Sequence, residues 1–382
     1  MIYADYNGST PISNEVKEFL ISKLETGHYA NPNATHSGAK SIMFAMEKSR
    51  RSLAKNLGCQ SSQIIFNSGS SEGISHIFYS LCSEGPKHNK NIIITSGIEH
   101  SAVVNSCKHY ANHGFEVKTL STLKDGRVDL NELSSLVKDF KNQIAFVTVM
   151  AANNETGVVQ PFEQIGEICQ KSGILYFSDT TQYIGKTHFD FSKSNMDFAV
   201  TSSHKVGSLI GSGLIIARNP ELLKAHIMGG GQERCLRGGT QNYIGIEAMA
   251  LALETFQKNI SHLEELRKIR DQFEKNIKTQ FPKVVIIGEE ADRLASTTLI
   301  AYPSLAGHLI QAELENQGVY VTTSSACCDS QSGSSKVLKA MNTEEEIGSS
   351  VVRISLCVNA NQALYDKIEL ALTNTYNKLC SL

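Results

Sequence analysis

The sequence predicts an open α/β fold, with a large domain built on a mostly parallel sheet and a smaller C-terminal α/β domain. Two observations lead to this prediction. Short apolar segments typical of buried strands alternate with amphipathic helical segments. Polar or ionisable residues follow several of these strands, and ligands of parallel sheets bind outside the carboxyl ends of the strands. The strand segments are 63–66, 91–95, 115–120, 144–150, 174–178, 197–200 and 213–217.

Helical segments separate these strands and divide the chain into two parts. Their apolar residues recur at helical spacing. The clearest segments are 14–23, 39–57 and 162–171, and longer helical patterns cover 242–281. Beyond these, strand and helix patterns alternate again. We therefore expect a large domain over 13–260 and a small domain over 1–12 and 261–382.

The composition is that of an ordinary globular protein. Of the 382 residues, 41% are hydrophobic, which is enough for a sizeable core. The formal net charge of −2 provides no basic field for nucleic acid and no polybasic patch for a membrane surface. The nine cysteines are odd in number and scattered, which favours free thiols in the cytoplasm. No Cys-x-x-Cys pair is present, and we expect no metal site.

Four side chains that follow strand segments indicate a catalytic site: His100, Asn154, Asp179 and Lys205. Each alone is more often structural, but four such groups at strand ends are hard to explain by core packing. A lysine flanked by hydroxyls and a histidine, with a carboxylate after the neighbouring strand, suggests a pyridoxal phosphate (PLP) site. Lys205 would hold the cofactor aldehyde as a Schiff base. Asp179 would keep the pyridine nitrogen protonated, so that the ring acts as an electron sink.

The segment 67–73, Asn-Ser-Gly-Ser-Ser-Glu-Gly, joins a strand to a helix. Backbone amides and the helix dipole at such a junction form a cradle for an anion, here the cofactor phosphate. No Gly-Lys-Ser/Thr follows, and the glycine spacing is not that of a dinucleotide fold. The motif therefore argues against a P-loop or dinucleotide protein.

Two features of the C-terminal part point to a substrate. Arg353 lies within the apolar strand segment 351–356, where its guanidinium needs an anion partner such as a substrate carboxylate. The segment 322–335 is rich in Ser and Thr and contains Cys327 and Cys328. Its composition is typical of a mobile loop.

Taken together, these residues resemble the cysteine desulfurases of the NifS/IscS type, which are fold-type I PLP enzymes of the class-V aminotransferase family. The resemblance covers nearly the whole chain, and the order and spacing of its motifs make it strong. The matching segments are 3–7, 31–32, 68–72, 99–101, 153–157, 202–205, 229–240, 325–327 and 353–356, with Asp179 and Gln182 between them.

The resemblance implies a role for each matching residue at the cofactor. Lys205 carries the cofactor and moves protons, Asp179 pairs with the ring nitrogen, and His100 stacks on the ring and acts as acid or base. Gln182 hydrogen-bonds the ring hydroxyl, and Asn154 lies close to both ring and substrate. The remaining cofactor-binding residues are Ser70, Ser71, Ser202 and His204, with Thr240 contributed by the other subunit of a homodimer.

The resemblance also implies the reaction. Arg353, with Asn154 nearby, binds the carboxylate of L-cysteine. Cys327 attacks the substrate sulfur, which leaves a persulfide on the enzyme and alanine as product. The persulfide then passes to an acceptor, for example in iron–sulfur cluster biogenesis or a thiolation pathway. Cys328 stands where the family usually has Ser or Thr.

Two alternatives keep the same fold. One is a selenocysteine lyase or another class-V PLP aminotransferase, although a thiol in a flexible loop favours a desulfurase. The other is a non-catalytic scaffold protein, against which the intact set of Lys205, Asp179 and His100 argues.

Overall fold

A large mixed sheet and a small antiparallel sheet organise the chain. A computed structural model describes residues 1–26, 29–86, 89–323 and 333–381. The strands are β1 (Ile2–Tyr3), β2 (Ile64–Asn67), β3 (Ile92–Ser96), β4 (Glu116–Leu120), β5 (Ile144–Thr148), β6 (Leu175–Asp179), β7 (Phe198–Ser202), β8 (Gly213–Ala217), β9 (Val285–Ile286), β10 (Thr297–Ala301), β11 (Val319–Tyr320) and β12 (Val351–Ser355). The helices are α1 (Asn14–Thr26), α2 (Ser37–Leu57), α3 (Ser70–Cys82), α4 (Ser101–Ala111), α5 (Leu130–Phe140), α6 (Phe162–Ser172), α7 (Tyr243–Asn259), α8 (Leu263–Gln280), α9 (Gly307–Asn316), α10 (Lys336–Ala340), α11 (Glu345–Gly348) and α12 (Gln362–Cys380).

The large sheet contains the seven predicted strands in the order β2-β8-β7-β6-β5-β3-β4. All neighbouring strands pair in parallel except β8, which is antiparallel to both β7 and β2. The mostly parallel α/β sheet is thus confirmed. Strand β5 is shorter than predicted and ends at Thr148, because Met150 N donates to the side chain of Glu99 instead of a strand.

Both faces of this sheet are buried, as is usual for parallel sheets, whose crossover helices cover them. One face packs on α3 and α4 through residues such as Ile77, Phe78 and Val103. The other face packs on α2, α5, α6 and α7 through residues such as Leu53 and Leu253. This double cover explains why the strands read as continuous apolar runs in the sequence.

The C-terminal part has its own sheet, β12-β10-β9, and its own hydrophobic core. The N-terminus joins this part, since β1 pairs in parallel with β11 and Asp5 bridges to Ser355. The domain bounds 13–260 and 1–12 with 261–382 stay a prediction. Among the described residues, no helix combines the length and the apolar character needed to cross a membrane.

Candidate active site

Several of the predicted site residues lie where β6 and β7 end. Asp179 is the last residue of β6, and Ser202 is the last residue of β7. The chain then makes one turn of 3₁₀-helix, Ser203–Lys205. The Ser203 hydroxyl fixes this turn by donating to Ser212 O over 2.9 Å. Because β6 and β7 are parallel neighbours, their carboxyl ends share one edge of the sheet, and Asp179 and the turn that carries Lys205 lie there.

The N-terminal segment lies against Lys205. Lys205 Nζ donates to Asn7 O over 2.8 Å and to Gly8 O over 2.5 Å. The Thr10 hydroxyl donates to the backbone carbonyl of Lys205 over 2.9 Å. Residues from the start of the chain therefore help to position the amine.

A chain of hydroxyl groups connects Asp179 to the start of α3. Asp179 is buried, and its Oδ1 accepts from the backbone N–H of Thr181 at 3.0 Å and from the Thr181 hydroxyl. Ser70 Oγ lies 2.6 Å from Thr181 Oγ1 and 2.9 Å from Ser202 Oγ. Asp179, Ser70 and Ser202, which are far apart in the sequence, thus form one hydrogen-bonded group.

The start of α3 has the backbone shape of an anion cradle. Gly69 precedes the helix at φ 149°, a conformation that L side chains rarely adopt. A Cβ at this position would lie 3.2 Å from Ser202 Oγ. The first amides of the helix and the two serine hydroxyls are therefore close enough together to hold a phosphate group.

His100 and Ser71 line a neighbouring cavity of about 600 Å³, together with His226 and Tyr110. His100 is the N-cap of α4, and its Nδ1 accepts from Ala102 N at 3.2 Å. Since Nδ1 is the acceptor, Nε2 is the ring nitrogen that can donate to a ligand.

Glu99, the neighbour of His100, is a buried carboxyl near Asp179. Its Oε1 accepts from Ser96 Oγ at 2.5 Å and from Met150 N at 2.9 Å. Its Oε2 has no hydrogen-bond partner among the residues described. Burial raises the pKa of Glu99 to about 8, and the charge of Asp179 adds to the rise. Glu99 is therefore mainly neutral at neutral pH.

Gln182 belongs to a network that the sequence analysis did not foresee. Its Nε2 donates to Asn7 O at 2.9 Å, and its Oε1 accepts from Lys186 Nζ. Lys186 Nζ also donates to Asn7 Oδ1 at 2.5 Å. No sequence signal marks Lys186, because a lysine after a Gly is more often exposed than buried.

His204 contacts the N-terminal segment, with its Nδ1 lying 3.2 Å from Ser9 Oγ. Burial lowers the pKa of His204 to about 4, and the charges of Lys205 and Lys186 lower it further. The imidazole is therefore neutral at neutral pH and can offer one N–H to a ligand.

Arg353 lies on β12 and points to the same region. Its Nη2 forms an ion pair with Asp5 Oδ1 at 2.6 Å, and its Nη1 donates to Asn154 O at 2.7 Å. The anion partner that the sequence required is Asp5 within this chain. Arg353 Nε is buried and has no hydrogen-bond partner among the described residues. Asn7 Nδ2 also donates to Asn154 O, at 3.2 Å, which joins Arg353 to the network around Lys205.

Three residues of the sequence analysis remain: Thr240, Cys327 and Cys328. Thr240 is exposed in the single chain. Cys327 and Cys328 fall within 324–332, outside the residues that the structure describes.

The residues present fit PLP, because an amine, a buried carboxylate and a cradle of hydroxyls and amides lie at the same edge of the sheet. In the described ranges, no group of three or more His, Cys, Asp or Glu side chains is arranged to hold a metal ion.

Two cysteine desulfurases match this chain over nearly its whole length. Cysteine desulfurase 2 of Trichormus variabilis is 32% identical over 368 residues, which cover 96% of this chain and 91% of that protein. Cysteine desulfurase NifS of Azotobacter vinelandii is 30% identical over 369 residues, which cover 96% of this chain and 90% of that protein.

Solved structures agree with the fold. A NifS-like protein superposes with a TM-score of 0.89 at 32% identity, covering 100% of both chains. SspA in complex with cysteine superposes with a TM-score of 0.81 at 27% identity, covering 93% of this chain and 99% of that chain. The fold is thus the fold-type I architecture of NifS-like enzymes, as predicted. The aminotransferase class-V family model matches residues 2–367, so the chain belongs to the aminotransferase class-V family.

Proposed function

We propose that this chain is a PLP-dependent cysteine desulfurase. The observation that carries the proposal is that Asp179 and the turn with Lys205 lie at one edge of the sheet, and that Asn7 and Asn154 connect Lys205 to Arg353. Relatives named cysteine desulfurase that match over nearly the whole chain support the same reaction. Class-V aminotransferases depend on PLP, and the network described above fits that cofactor.

The cofactor would be held at both ends. Ser70, Ser71, Ser202 and His204 would bind its phosphate, and Lys205 would bind its aldehyde carbon. Asp179 is buried and would pair with the ring nitrogen, while Gln182 and Asn154 would contact the ring or its substituents. The cofactor, when bound, supplies an electron sink for the substrate carbons.

Arg353 would bind the carboxylate of L-cysteine. Its guanidinium is fixed on two sides by Asp5 and by Asn154 O, and its planar fork suits a carboxylate. Lys205 would move the proton at the substrate α-carbon, and His100 would act as acid or base through Nε2.

The thiolate of Cys327 would take the sulfur. It attacks the substrate Sγ, a new S–S bond forms, and the Cβ–Sγ bond breaks with its electron pair left on carbon. Protonation of that carbon gives L-alanine, and the sulfur stays on Cys327 as a persulfide. A sulfur acceptor or two equivalents of an external thiol then remove it.

The working form would be a homodimer. Thr240, which the family resemblance assigns to the partner subunit's site, is exposed in the single chain. Phe44, Ile210 and Met228 are large apolar side chains that are more than half exposed, as expected of an interface. The described cysteines are all free thiols, which supports a reducing compartment such as the cytoplasm.

The test is the formation of alanine and sulfide from L-cysteine by the purified, PLP-loaded protein with a thiol reductant. We expect equal amounts of both products. The Lys205→Ala variant should lose the visible cofactor absorbance and the activity, whereas Lys171→Ala, which changes an exposed lysine, should keep both. A coloured protein that makes alanine only from selenocysteine would favour the lyase alternative. A protein that takes up no PLP would refute the proposal.

A further inference from the structure

Lys186 is a buried lysine beside the proposed cofactor lysine. Its side chain is only 8% exposed, although an amine is costly to bury. Burial lowers the pKa of Lys186 well below its usual range, and the charges of Lys205 and Arg353 lower it further, while Asp5 opposes them. Both acceptors of Lys186 Nζ are side-chain amide oxygens, from Gln182 and Asn7.

These contacts determine which way the Gln182 amide points. Lys186 Nζ donates to Gln182 Oε1 and to Asn7 Oδ1, and even a neutral amine has the two N–H groups that these contacts need, so the carbonyl end of the Gln182 amide faces Lys186. The other end of the amide then carries the N–H groups. One of them donates to Asn7 O over 2.9 Å, which confirms the same orientation from a second, independent partner.

Gln182 Nε2 is next to the amine of Lys205. Both nitrogens donate to one carbonyl oxygen, Asn7 O, at 2.9 and 2.8 Å. In PLP, the ring hydroxyl is on the carbon adjacent to the one that bears the aldehyde. An amide nitrogen beside Lys205 Nζ can therefore donate to the ring oxygen, whereas a flipped amide would present a carbonyl and repel it.

We propose that Lys186 is a positioning residue, whose contact with Gln182 Oε1 and Asn7 Oδ1 fixes the Gln182 amide with Nε2 toward the ring oxygen of the cofactor. The inference rests on the proposed function, because it requires PLP on Lys205. Lys186 also fixes the Asn7 amide, so that Asn7 Nδ2 donates to Asn154 O at 3.2 Å and to Thr297 Oγ1 at 3.1 Å. One amine thus orients two amides at the site.

The test uses the PLP-loaded protein and the variant Lys186→Met. A donor to the ring oxygen stabilises its deprotonated form, so loss of that donor should raise the pH midpoint of the visible absorbance of the lysine-bound cofactor. We expect a rise of about one pH unit and roughly tenfold weaker retention of PLP on dialysis. Lys171→Met, at an exposed lysine, is the matched control and should change neither value.

A double-mutant cycle separates positioning from a direct effect of charge. Gln182→Leu should raise the midpoint by itself, and adding Lys186→Met to it should raise the midpoint no further. An equal rise in both backgrounds would mean that the Lys186 charge acts on the cofactor directly, which overturns the proposal. The charged groups that act on Lys186, namely Lys205, Arg353 and Asp5, are unchanged in all these variants.

Circular dichroism and the melting temperature report whether each variant folds. If Lys186→Met does not fold, Gln182→Leu tests the premise that the Gln182 amide donates to the ring oxygen. An unshifted pH midpoint in Gln182→Leu refutes the proposal. A wild-type protein that takes up PLP while Lys186→Met keeps the normal midpoint refutes this inference alone. A wild-type protein that takes up no PLP refutes the proposed function as well.

Discussion

Glu99 should make the folded protein less stable as the pH rises. The unfolded chain releases the Glu99 proton near its ordinary pKa of 4.5, whereas the folded protein holds this proton until a pKa of about 8. Between these two values the folded state binds more protons than the unfolded state, so the free energy of unfolding falls with increasing pH. Below 4.5 and above about 8 the contribution of Glu99 is constant.

The Glu99→Gln variant removes this dependence and keeps the geometry. A glutamine is neutral at every pH, and its Oε1 can still accept from Ser96 Oγ and from Met150 N. At about 1.4 kcal/mol per pH unit, the interval from 4.5 to about 8 corresponds to an upper limit of about 5 kcal/mol. At pH 8 we therefore expect the variant to be more stable than the wild type by roughly 2–5 kcal/mol, and at pH 5 the two should be nearly equal.

The assay is urea unfolding followed by circular dichroism at several values between pH 5 and pH 8. The unfolding midpoint of the wild type should fall over this range more steeply than that of Glu99→Gln. Glu290→Gln, which changes an exposed carboxylate, is the control and should parallel the wild type. If the unfolding midpoints of Glu99→Gln and the wild type change with pH in parallel, the Glu99 carboxyl is ionised in the folded protein and the reasoning is refuted.

Three further predictions follow from the site and its support. Cys327→Ser should keep the bound cofactor but stop alanine formation in the cysteine assay. If Cys328→Ser stops alanine formation instead, Cys328 is the nucleophile. Arg353→Ala should raise KM for L-cysteine by roughly 30-fold or more, since a charge-assisted pair with the carboxylate is lost, and an unchanged KM would contradict that role. Arg50 Nη2 lies 2.8 Å from Glu233 Oε1 in a buried bidentate ion pair. Arg50→Met should destabilise the protein by about 3–5 kcal/mol in urea unfolding, because it leaves Glu233 buried without this partner. A loss below 1 kcal/mol would mean that Glu233 becomes protonated or hydrated instead.

Local patterns in the sequence were enough to predict the large sheet. Except for the edge strand β4, its strands are mainly apolar runs, because both faces of the sheet are covered there. The parallel arrangement then explains why Asp179 and Lys205 could be expected on one edge of the sheet, since the carboxyl ends of adjacent parallel strands meet there. The sequence by itself therefore determined the fold class and the position of the central lysine and carboxylate.

Only the tertiary structure decided which groups surround that pair. Asn7 contacts Lys205, Gln182 and Ser355, although 348 residues separate it from Ser355. Whether Lys186 is buried depends on how the N-terminal segment packs against the ends of β6 and β7, and no periodicity along the chain encodes that packing. The pairing of Arg353 with Asp5 is decided in the same way, because β12 and the N-terminal segment become neighbours only in the folded chain. Hydrogen bonds and ion pairs have ranges of a few ångströms, so their partners are set by three-dimensional proximity and cannot be read from spacing in the sequence.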